Sequence, residues 1–162
     1  MKKAVCVFTN NSYKLEGSVL FTELKNNMKI EIDLKGIPEG NHGFHVHECG
    51  DLREGCKSLC SHFNPHNNVH GGKDSKNRHV GDLGNLYFDS NKVCKTTMYD
   101  NRIKLSGINN IIGRGLIIHE KEDDLGKGGN KESLITGNAG KRIACGVIGI
   151  CKFWYIHLKL FF

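Results

Sequence analysis

The sequence predicts an all-β domain of eight short strands, arranged as a sandwich or a closed barrel. The chain of 162 residues contains 20 glycines and only two prolines. Many short apolar runs are broken by Gly, Asn and Asp, which is typical of strands joined by turns rather than of helices. A chain of this length makes one domain that is large enough to bury a full core.

The strand limits follow from the apolar runs and the turn residues between them. The first strand contains the apolar run at residues 4–8 and stops at residues 9–11. The fourth contains the run at 43–47, and the seventh contains the apolar run at 115–118. The eight predicted strands cover residues 2–9, 14–22, 28–36, 41–48, 83–88, 93–100, 115–120 and 142–151.

Two long segments, residues 49–82 and 121–141, interrupt this succession of strands. Loops longer than about 12 to 15 residues without structure of their own are usually functional or disordered. The first segment contains four candidate metal ligands and the second is dense with charge. We therefore predict two long functional loops on a compact β scaffold.

The composition argues against nucleic acid as a partner, although the net charge is +6. The lysines are scattered among Asp and Glu, and the chain lacks a basic helix or a stripe of aromatic residues that could stack on bases. A small anionic substrate is compatible with a local excess of positive charge.

The hydropathy pattern predicts no membrane span, since no window of 18 or more residues is apolar. The apolar run at residues 4–8 is too short for the core of a signal peptide, so we expect a cytoplasmic protein. The low proline content and the many Asn, Lys and Ile residues suit an AT-rich genome, viral or cellular.

Seven side chains are spaced so that they could close around two adjacent metal ions. His45 and His47 lie two residues apart in a predicted strand, so both point to the same face. Histidine with carboxylate is a ligand set for zinc and copper rather than for calcium or magnesium. The other candidate ligands are His62, His70, His79, Asp82 and His119, whereas His42, His66 and His157 are expected to lie outside the site.

Several runs resemble the copper/zinc superoxide dismutase family over about residues 3–151. They are Gly43-Phe44-His45-Val46-His47-Glu48, His62-Phe63-Asn64-Pro65, His70-Gly71-Gly72, residues 78–85, residues 119–121, residues 123–130, Gly137-Asn138-Ala139-Gly140 and residues 142–150. The resemblance implies an eight-stranded Greek-key barrel, flattened like a sandwich. It also implies a dismutase-like domain at 1–151, followed by an apolar C-terminal extension at 152–162.

The resemblance assigns a role to each candidate residue. It implies that copper is held by His45, His47, His62 and His119, and zinc by His62, His70, His79 and Asp82. His62 would bridge both metals, and Asp123 would link a copper-side histidine to a zinc-side histidine. Arg142 would hold superoxide beside the copper, and Cys56 would form a disulfide with Cys145. The lysines that would extend the attracting field are Lys121, Lys127, Lys131 and Lys141.

The expected activity is the conversion of superoxide into dioxygen and hydrogen peroxide by Cu(II)/Cu(I) cycling, with His62 as both ligand and proton donor. The expected partners are superoxide, a second copy of the chain and a copper chaperone. A catalytically silent relative, acting as a metal buffer or chaperone binder, is the alternative. It is disfavoured because the chain keeps every copper ligand and Arg142. A zinc-only structural domain is disfavoured as well, because His45, His47 and His119 would then have no metal to bind.

Three features depart from the family pattern. Cys49 and Cys60 replace residues of other types, and we hypothesise that these thiols compete with Cys56 for disulfide formation or trap zinc wrongly. In the charged loop, Lys131 replaces an acid and Ile135 a lysine. The alternating pattern of the C-terminal extension predicts a strand with one apolar face, and we hypothesise that it packs at or near a subunit contact.

Overall fold

The strands of the protein form two antiparallel sheets. The computed structural model describes residues 1–151, so the extension predicted at 152–162 lies outside the described residues. The described strands are β1 (Lys3–Val7), β2 (Asn10–Asn11), β3 (Glu16–Glu23), β4 (Met28–Lys35), β5 (Gly40–His47), β6 (Asp82–Phe88), β7 (Val93–Asp100), β8 (Gly115–His119), β9 (Arg142–Val147) and β10 (Gly149–Ile150). The all-β class predicted from the sequence is confirmed.

The connections between the sheets follow a Greek-key path. The strand orders are β10-β1-β3-β4-β7 in one sheet and β2-β9-β8-β5-β6 in the other. Strand β4 pairs with β7 rather than with β5, and β5 pairs with β8 across the second sheet. The chain thus passes back and forth between the sheets, as a Greek-key barrel requires.

Residues 1–151 contain ten strands where eight were predicted, because the last predicted strand divides into β9 and β10 and a short strand, β2, follows the first predicted strand. Residue Ala4 in β1 pairs with Ile150 in β10, whereas Asn10 in β2 pairs with Cys145 in β9. Each of these two strand paths therefore contributes to both sheets. The apolar pattern continues through the crossing from β9 to β10, so the sequence could not show where the pairing partner changes there. It stops at residues 9–11, so the short strand β2 was not predicted.

The alternation of buried and exposed residues differs between the two sheets. In β4, Met28, Ile30, Ile32 and Leu34 are buried and their neighbours are more exposed. This is the usual pattern of a strand with one face on the core. Strand β5 is instead buried at every residue from 42 to 47, because one face lies on the core and loops cover the other. The covered outer face of β5 is where His45 and His47 lie.

Both predicted long loops contain a short helical turn. The first includes a 3₁₀ helix, Gly55–Leu59, and the second includes α1, Ser133–Thr136. A third loop, residues 101–114, was not singled out from the sequence. Its residues Ile103 and Ile111 are fully buried and complete the core. Within residues 1–151, no helix has the length and apolar character that crossing a bilayer needs.

Candidate metal centre

Two groups of buried side chains meet on the outer face of the second sheet. We call His45, His47, His62 and His119 the four-histidine cluster, and His62, His70, His79 and Asp82 the carboxylate cluster. Within each cluster the candidate ligand atoms all lie within 4.8 Å of one another. All seven residues predicted from the sequence as ligands are buried and are brought together here.

The four-histidine cluster presents ring nitrogens that have no hydrogen-bond partner within residues 1–151. These atoms are Nδ1 of His45 and Nε2 of both His47 and His119, and each is fully buried. A buried polar atom without a partner costs about 1 to 3 kcal/mol. A ligand such as a metal ion would remove that cost, since a neutral imidazole nitrogen is a common metal ligand.

Backbone carbonyls fix the orientation of two of these rings. Nδ1 of His47 lies 2.9 Å from the carbonyl oxygen of Cys60, and Nδ1 of His119 lies 3.2 Å from that of Gly140. Burial also holds the pKa of His47 well below its usual value and lowers the pKa of His119 to about 4. Both rings are therefore neutral near pH 7, as metal binding requires.

The carboxylate cluster is built around one oxygen of Asp82. Oδ1 lies 2.9 Å from Nδ1 of His62 and 3.1 Å from Nδ1 of His79. Nδ1 of His70 is 3.0 Å away, without the alignment of a hydrogen bond. Burial opposes ionisation of Asp82, but these three rings outweigh it and hold the pKa of the carboxyl far below its usual range. Oδ2 accepts the backbone N–H of Gly71 at 3.1 Å.

His62 belongs to both clusters. Because its Nδ1 faces Asp82, its Nε2 is left for the four-histidine cluster. Its ring centroid is 4.1 Å from that of His45 and 5.3 Å from that of His70. One imidazole can therefore offer a nitrogen to each of two neighbouring ions.

Asp123 connects the two clusters through contacts with one histidine of each. Its Oδ2 lies 2.7 Å from Nε2 of His45, and its Oδ1 lies 2.8 Å from Nε2 of His70. Asn85 clamps its backbone, accepting the N–H of Asp123 at 2.7 Å and donating to its carbonyl at 2.9 Å. Gly137 lies so close that a Cβ there would collide with Asp123 and His70. Such outer contacts set which nitrogen of each ring is free for a metal.

The donor sets fit copper and zinc. Four imidazoles with one solvent-facing side suit copper, and three imidazoles with one carboxylate suit tetrahedral zinc. A copper ion there would give a partner to the three buried nitrogens of the four-histidine cluster that have no hydrogen bond. We expect calcium and magnesium to be poor occupants, because they prefer oxygen ligands.

A solvent-connected cavity of about 460 Å³ opens above the four-histidine cluster. His47, His62 and His119 line it together with Arg142, from the start of β9. The guanidinium of Arg142 donates to the carbonyl of Cys56 at 2.7 Å and also to that of Cys60. These two contacts fix the plane of a permanent positive charge at the cavity wall. The space admits a small anion rather than a macromolecule.

A disulfide between Cys56 and Cys145 joins the 3₁₀ helix to β9. The two residues are 89 positions apart, so the bridge closes a large part of the chain into one loop. It lies next to the carbonyl of Cys56 that holds Arg142. Cys49 and Cys60 are free thiols that belong to neither cluster.

The comparison with known protein families agrees with this geometry. The family model described as copper/zinc superoxide dismutase (SODC) matches residues 15–148. The chain belongs to the copper/zinc superoxide dismutase family. Proteins of this family use copper and zinc, and the two clusters fit one ion of each kind. The resemblance found in the sequence is confirmed.

Named relatives of this copper/zinc superoxide dismutase family member match over most of the chain. A superoxide dismutase [Cu-Zn] of Paramecium bursaria Chlorella virus 1 is 57% identical over 139 residues, covering 85% of this chain and 74% of the relative. An extracellular superoxide dismutase [Cu-Zn] of Drosophila melanogaster is 50% identical over 143 residues, covering 87% and 79%. The crystal structure of the clock protein EA4 has a TM-score of 0.88 at 46% identity, covering 92% of this chain and 94% of that one.

The four lysines predicted to steer superoxide in this dismutase-family chain are all exposed. They lie in the second loop, which leads into Arg142, but none of these four is among the described residues that line the cavity. The acidic residue Glu132 does line it, beside Ile135 and Thr136. The sequence analysis assigned no role to Glu132.

Two further supporting residues were not recognised from the sequence. Asn85 clamps Asp123, and the carbonyl of Cys60 contacts both His47 and Arg142. The Asn85 side chain lay inside a recognised motif, so a signal for it existed. A carbonyl contact carries no residue-type signal, because every residue has that group. His42 and His66 lie outside both clusters, as predicted, and His42 contacts the carbonyl of Pro38 at 3.1 Å.

The metal-free protein should lose stability as the pH falls from about 6.5 toward 4. Burial lowers the pKa of His119 to about 4 and holds those of the other three members of the four-histidine cluster below the usual value. These rings protonate more readily in the unfolded chain, so acid favours unfolding. The expected slope is up to about 1.4 kcal/mol per pH unit for each such ring.

His70 has the opposite shift and does not offset this loss. Burial opposes protonation, but contacts with Asp123 and Asp82 raise its pKa to about 9. Its stabilising contribution is complete below about pH 6.5 and disappears only as the pH rises through about 9. Urea unfolding of the metal-free protein between pH 4 and pH 7 measures the slope. A free energy of unfolding that stays level or rises toward pH 4 would contradict the prediction.

Proposed function

We propose that this chain is an active superoxide dismutase, which converts two superoxide anions and two protons into dioxygen and hydrogen peroxide. The observation that carries the proposal is the meeting of both clusters at His62, beneath a cavity whose wall contains Arg142. When bound, copper supplies one-electron oxidation and reduction, and zinc supplies charge without redox chemistry.

The proposed ligands are the members of the two clusters. The copper ligands are His45, His47, His62 and His119, and the zinc ligands are His62, His70, His79 and Asp82. Asp123 holds His45 and His70 through their Nε2 atoms, so that Nδ1 of each ring faces its cluster. One carboxylate thereby sets the geometry of both sites.

His62 is the proposed proton carrier. Its ring lines the cavity, and its Nε2 faces the four-histidine cluster, so a proton held there lies beside an anion in the cavity. In the metal-free protein, Asp82 orients the ring by accepting a hydrogen bond from Nδ1. Burial lowers the pKa of His62, so the protonated ring gives up its proton more readily than a free imidazolium does. Reduced superoxide needs two protons to become hydrogen peroxide, and His62 is placed to deliver one.

Arg142 is the proposed docking residue, and Arg142→Ala is the experiment that tests the function. A hydrogen bond between charged groups is worth about 1.5 to 3 kcal/mol, so kcat/KM for superoxide should fall by roughly 10-fold to 150-fold. Copper and zinc contents should stay unchanged, because Arg142 belongs to neither cluster. Pulse radiolysis with metal analysis of the same sample measures both.

The control for this experiment is Arg142→Lys, which keeps the charge but loses the planar donor pair. Its activity should lie between those of the wild type and the alanine variant. If fully metal-loaded wild-type protein consumed no superoxide, the chain would be a silent metal-binding relative. If the alanine variant kept full activity, Arg142 would not be the docking residue.

The exposed lysines are proposed to steer the substrate. Replacing the four lysines Lys121, Lys127, Lys131 and Lys141 with alanine should lower kcat/KM severalfold at low salt and flatten its dependence on ionic strength. The matched control replaces four exposed lysines of the other sheet, in or beside β3, β4 and β7, namely Lys25, Lys35, Lys92 and Lys95. An equal loss in the control would show a general charge effect instead of steering.

The finer expectations on assembly and location remain proposals. We propose a homodimer. The exposed apolar side chains Val7 and Ile150, on neighbouring strands β1 and β10, support an apolar contact surface. A copper chaperone is the proposed source of copper. The cytoplasm is the proposed location, although one relative is named extracellular. Analytical ultracentrifugation tests the assembly, and cell fractionation tests the location.

Residues 1–151 are proposed to form the dismutase-like domain, with 152–162 as an apolar C-terminal extension. The last described strand, β10, pairs with β1 and ends at Ile150, which supports this division. The extension is proposed to pack at or near the subunit contact. Protein truncated after residue 151 should keep its activity per bound copper but form a weaker dimer.

A further inference from the structure

A second pair of cysteines lies beside the metal centre, apart from the disulfide already described. Cys49 and Cys60 are free thiols, and their Sγ atoms are 2.8 Å apart. Sulfur atoms that are not bonded normally remain farther apart than this. The two side chains already face each other, so the sulfur atoms need to approach by less than about 1 Å to reach the bond length of a disulfide.

The backbone holds these two cysteines together from both sides. The N–H of Glu48 donates to the carbonyl of Ser61 at 2.9 Å, and the N–H of Cys49 donates to that of Leu59 at 3.2 Å. The end of β5 and the end of the 3₁₀ segment therefore run side by side, as two strands would. Cross-strand neighbours have Cβ atoms about 4.5 to 5.5 Å apart, close to what a disulfide spans.

The two thiols differ in how far they are exposed to solvent. Cys60 is exposed to solvent and Cys49 is half-buried behind it. A small oxidant therefore reaches Cys60 first, and Cys49 needs only to contact Cys60. This is the arrangement of an attacking thiol with a resolving thiol beside it.

The pair is also linked to the proposed catalytic machinery. The carbonyl of Cys60 contacts Nδ1 of His47 and accepts a hydrogen bond from Arg142. Cys60 has a φ of 63°, in the left-handed region that side chains rarely adopt. A bond from Cys60 to Cys49 would tie that carbonyl to the end of β5.

We propose that Cys49 and Cys60 form a redox-active dithiol that hydrogen peroxide converts into a second intrachain disulfide. The proposal rests on the proposed function only for the source of the oxidant, since hydrogen peroxide is the product released from the neighbouring cavity. The second bridge joins β5 to the residue whose carbonyl holds His47 and Arg142. It also protects Cys60 from irreversible oxidation.

The oxidation balances in two steps. The sulfur of Cys60 attacks the O–O bond of hydrogen peroxide, which gives a sulfenic acid and one water molecule. The sulfur of Cys49 then attacks the sulfur of that sulfenic acid, the S–O bond breaks, and a second water molecule leaves with the thiol proton. Two thiols and one peroxide thus become one disulfide and two waters.

Peptide mapping of the metal-loaded protein tests this proposal directly. The protein is treated with one equivalent of hydrogen peroxide, alkylated and digested with trypsin without reduction. Cleavage after Lys35, Arg53, Lys57 and Lys73 places Cys49, Cys56 and Cys60 in separate peptides. We expect peptides 36–53 and 58–73 to appear joined, with the loss of two hydrogen atoms. A bridge from Cys60 to Cys56, a bridge between two chains, or no bridge would overturn the proposal.

Variants separate the resolving role from simple exposure. In Cys49→Ser, Cys60 should accumulate sulfenic and then sulfinic acid, and a sulfenic-acid trap should label it severalfold more than in the wild type. Cys151→Ser is the matched control and should oxidise like the wild type. Equal overoxidation of Cys60 in the wild type and in Cys49→Ser would refute the resolving role. Because the peroxide is added, the result does not depend on dismutase activity. A protein that forms the bridge but consumes no superoxide would therefore contradict the proposed function and leave the dithiol proposal standing.

Discussion

Replacing His62 with alanine should abolish superoxide consumption and weaken zinc binding in the same variant. His62 is the member shared by the two clusters, so its loss leaves three candidate ligands in each. It also removes the proposed proton carrier and leaves the Asp82 carboxylate with one hydrogen-bonded imidazole fewer. We expect the superoxide-consuming activity to fall by at least about 1000-fold, combining lost metal affinity with lost proton transfer, which alone contributes roughly 100-fold to 10,000-fold.

The matched control for this variant is His66→Ala. His66 lies in the same loop, is exposed, and contacts Asn109 instead of either cluster. It should keep the activity and both metals. Metal analysis after dialysis against a competing chelator, together with the superoxide assay, measures the effect. Loss of copper with full retention of zinc would show that the two clusters do not depend on a common ring.

Replacing Cys56 with serine should destabilise the fold strongly, although Cys56 belongs to neither metal cluster. The bridge to Cys145 spans 89 residues, and the chain-entropy model gives about 4 to 5 kcal/mol for a loop of that size. Cys56 is preferred for the test because Cys145 is fully buried and its replacement would also disturb packing. The activity should fall as well, because the carbonyl of Cys56 helps to hold Arg142.

Urea unfolding of the metal-free protein, wild type against Cys56→Ser, measures this prediction. The metal-free form is used because bound metal adds its own binding free energy to the folded state. Cys151→Ser, which removes a cysteine outside the disulfide, serves as the control and should change the stability little. A loss below about 1 kcal/mol in Cys56→Ser would mean that the unfolded chain gains little freedom when the bridge is absent.

The sequence predicted most strands because their alternation of apolar and polar residues is a local property. Strand β7 was placed at the observed residues, 93–100, and β4 differed by one residue at its end. The division of the last strand and the short strand β2 were missed, since pairing with one sheet or the other depends on distant residues. The loop at 101–114 was also missed. Its contribution to the core becomes visible only when Ile103 and Ile111 are seen against the sheets.

The candidate ligands could be named from the sequence because their chemistry belongs to the residue type. An imidazole or a carboxylate is recognisable wherever it occurs, and the spacing of His45 and His47 on one strand limits how they can point. The recognised motifs added Asp123 and Arg142. The sequence did not indicate which nitrogen of each ring is free. That depends on carbonyls and carboxylates contributed by residues far along the chain, such as Gly140 for His119.

The sequence by itself determined the all-β class, the candidate ligands and the family. These depend on side-chain type and on spacing along the chain. The resemblance already implied that His62 is shared by both clusters. The tertiary structure decided that the carbonyl of Cys60 holds both His47 and Arg142, and that Cys49 faces Cys60. Each of these contacts joins segments that are distant in sequence or uses backbone atoms common to all residues. Only the packing of the loops against β5 brings them together.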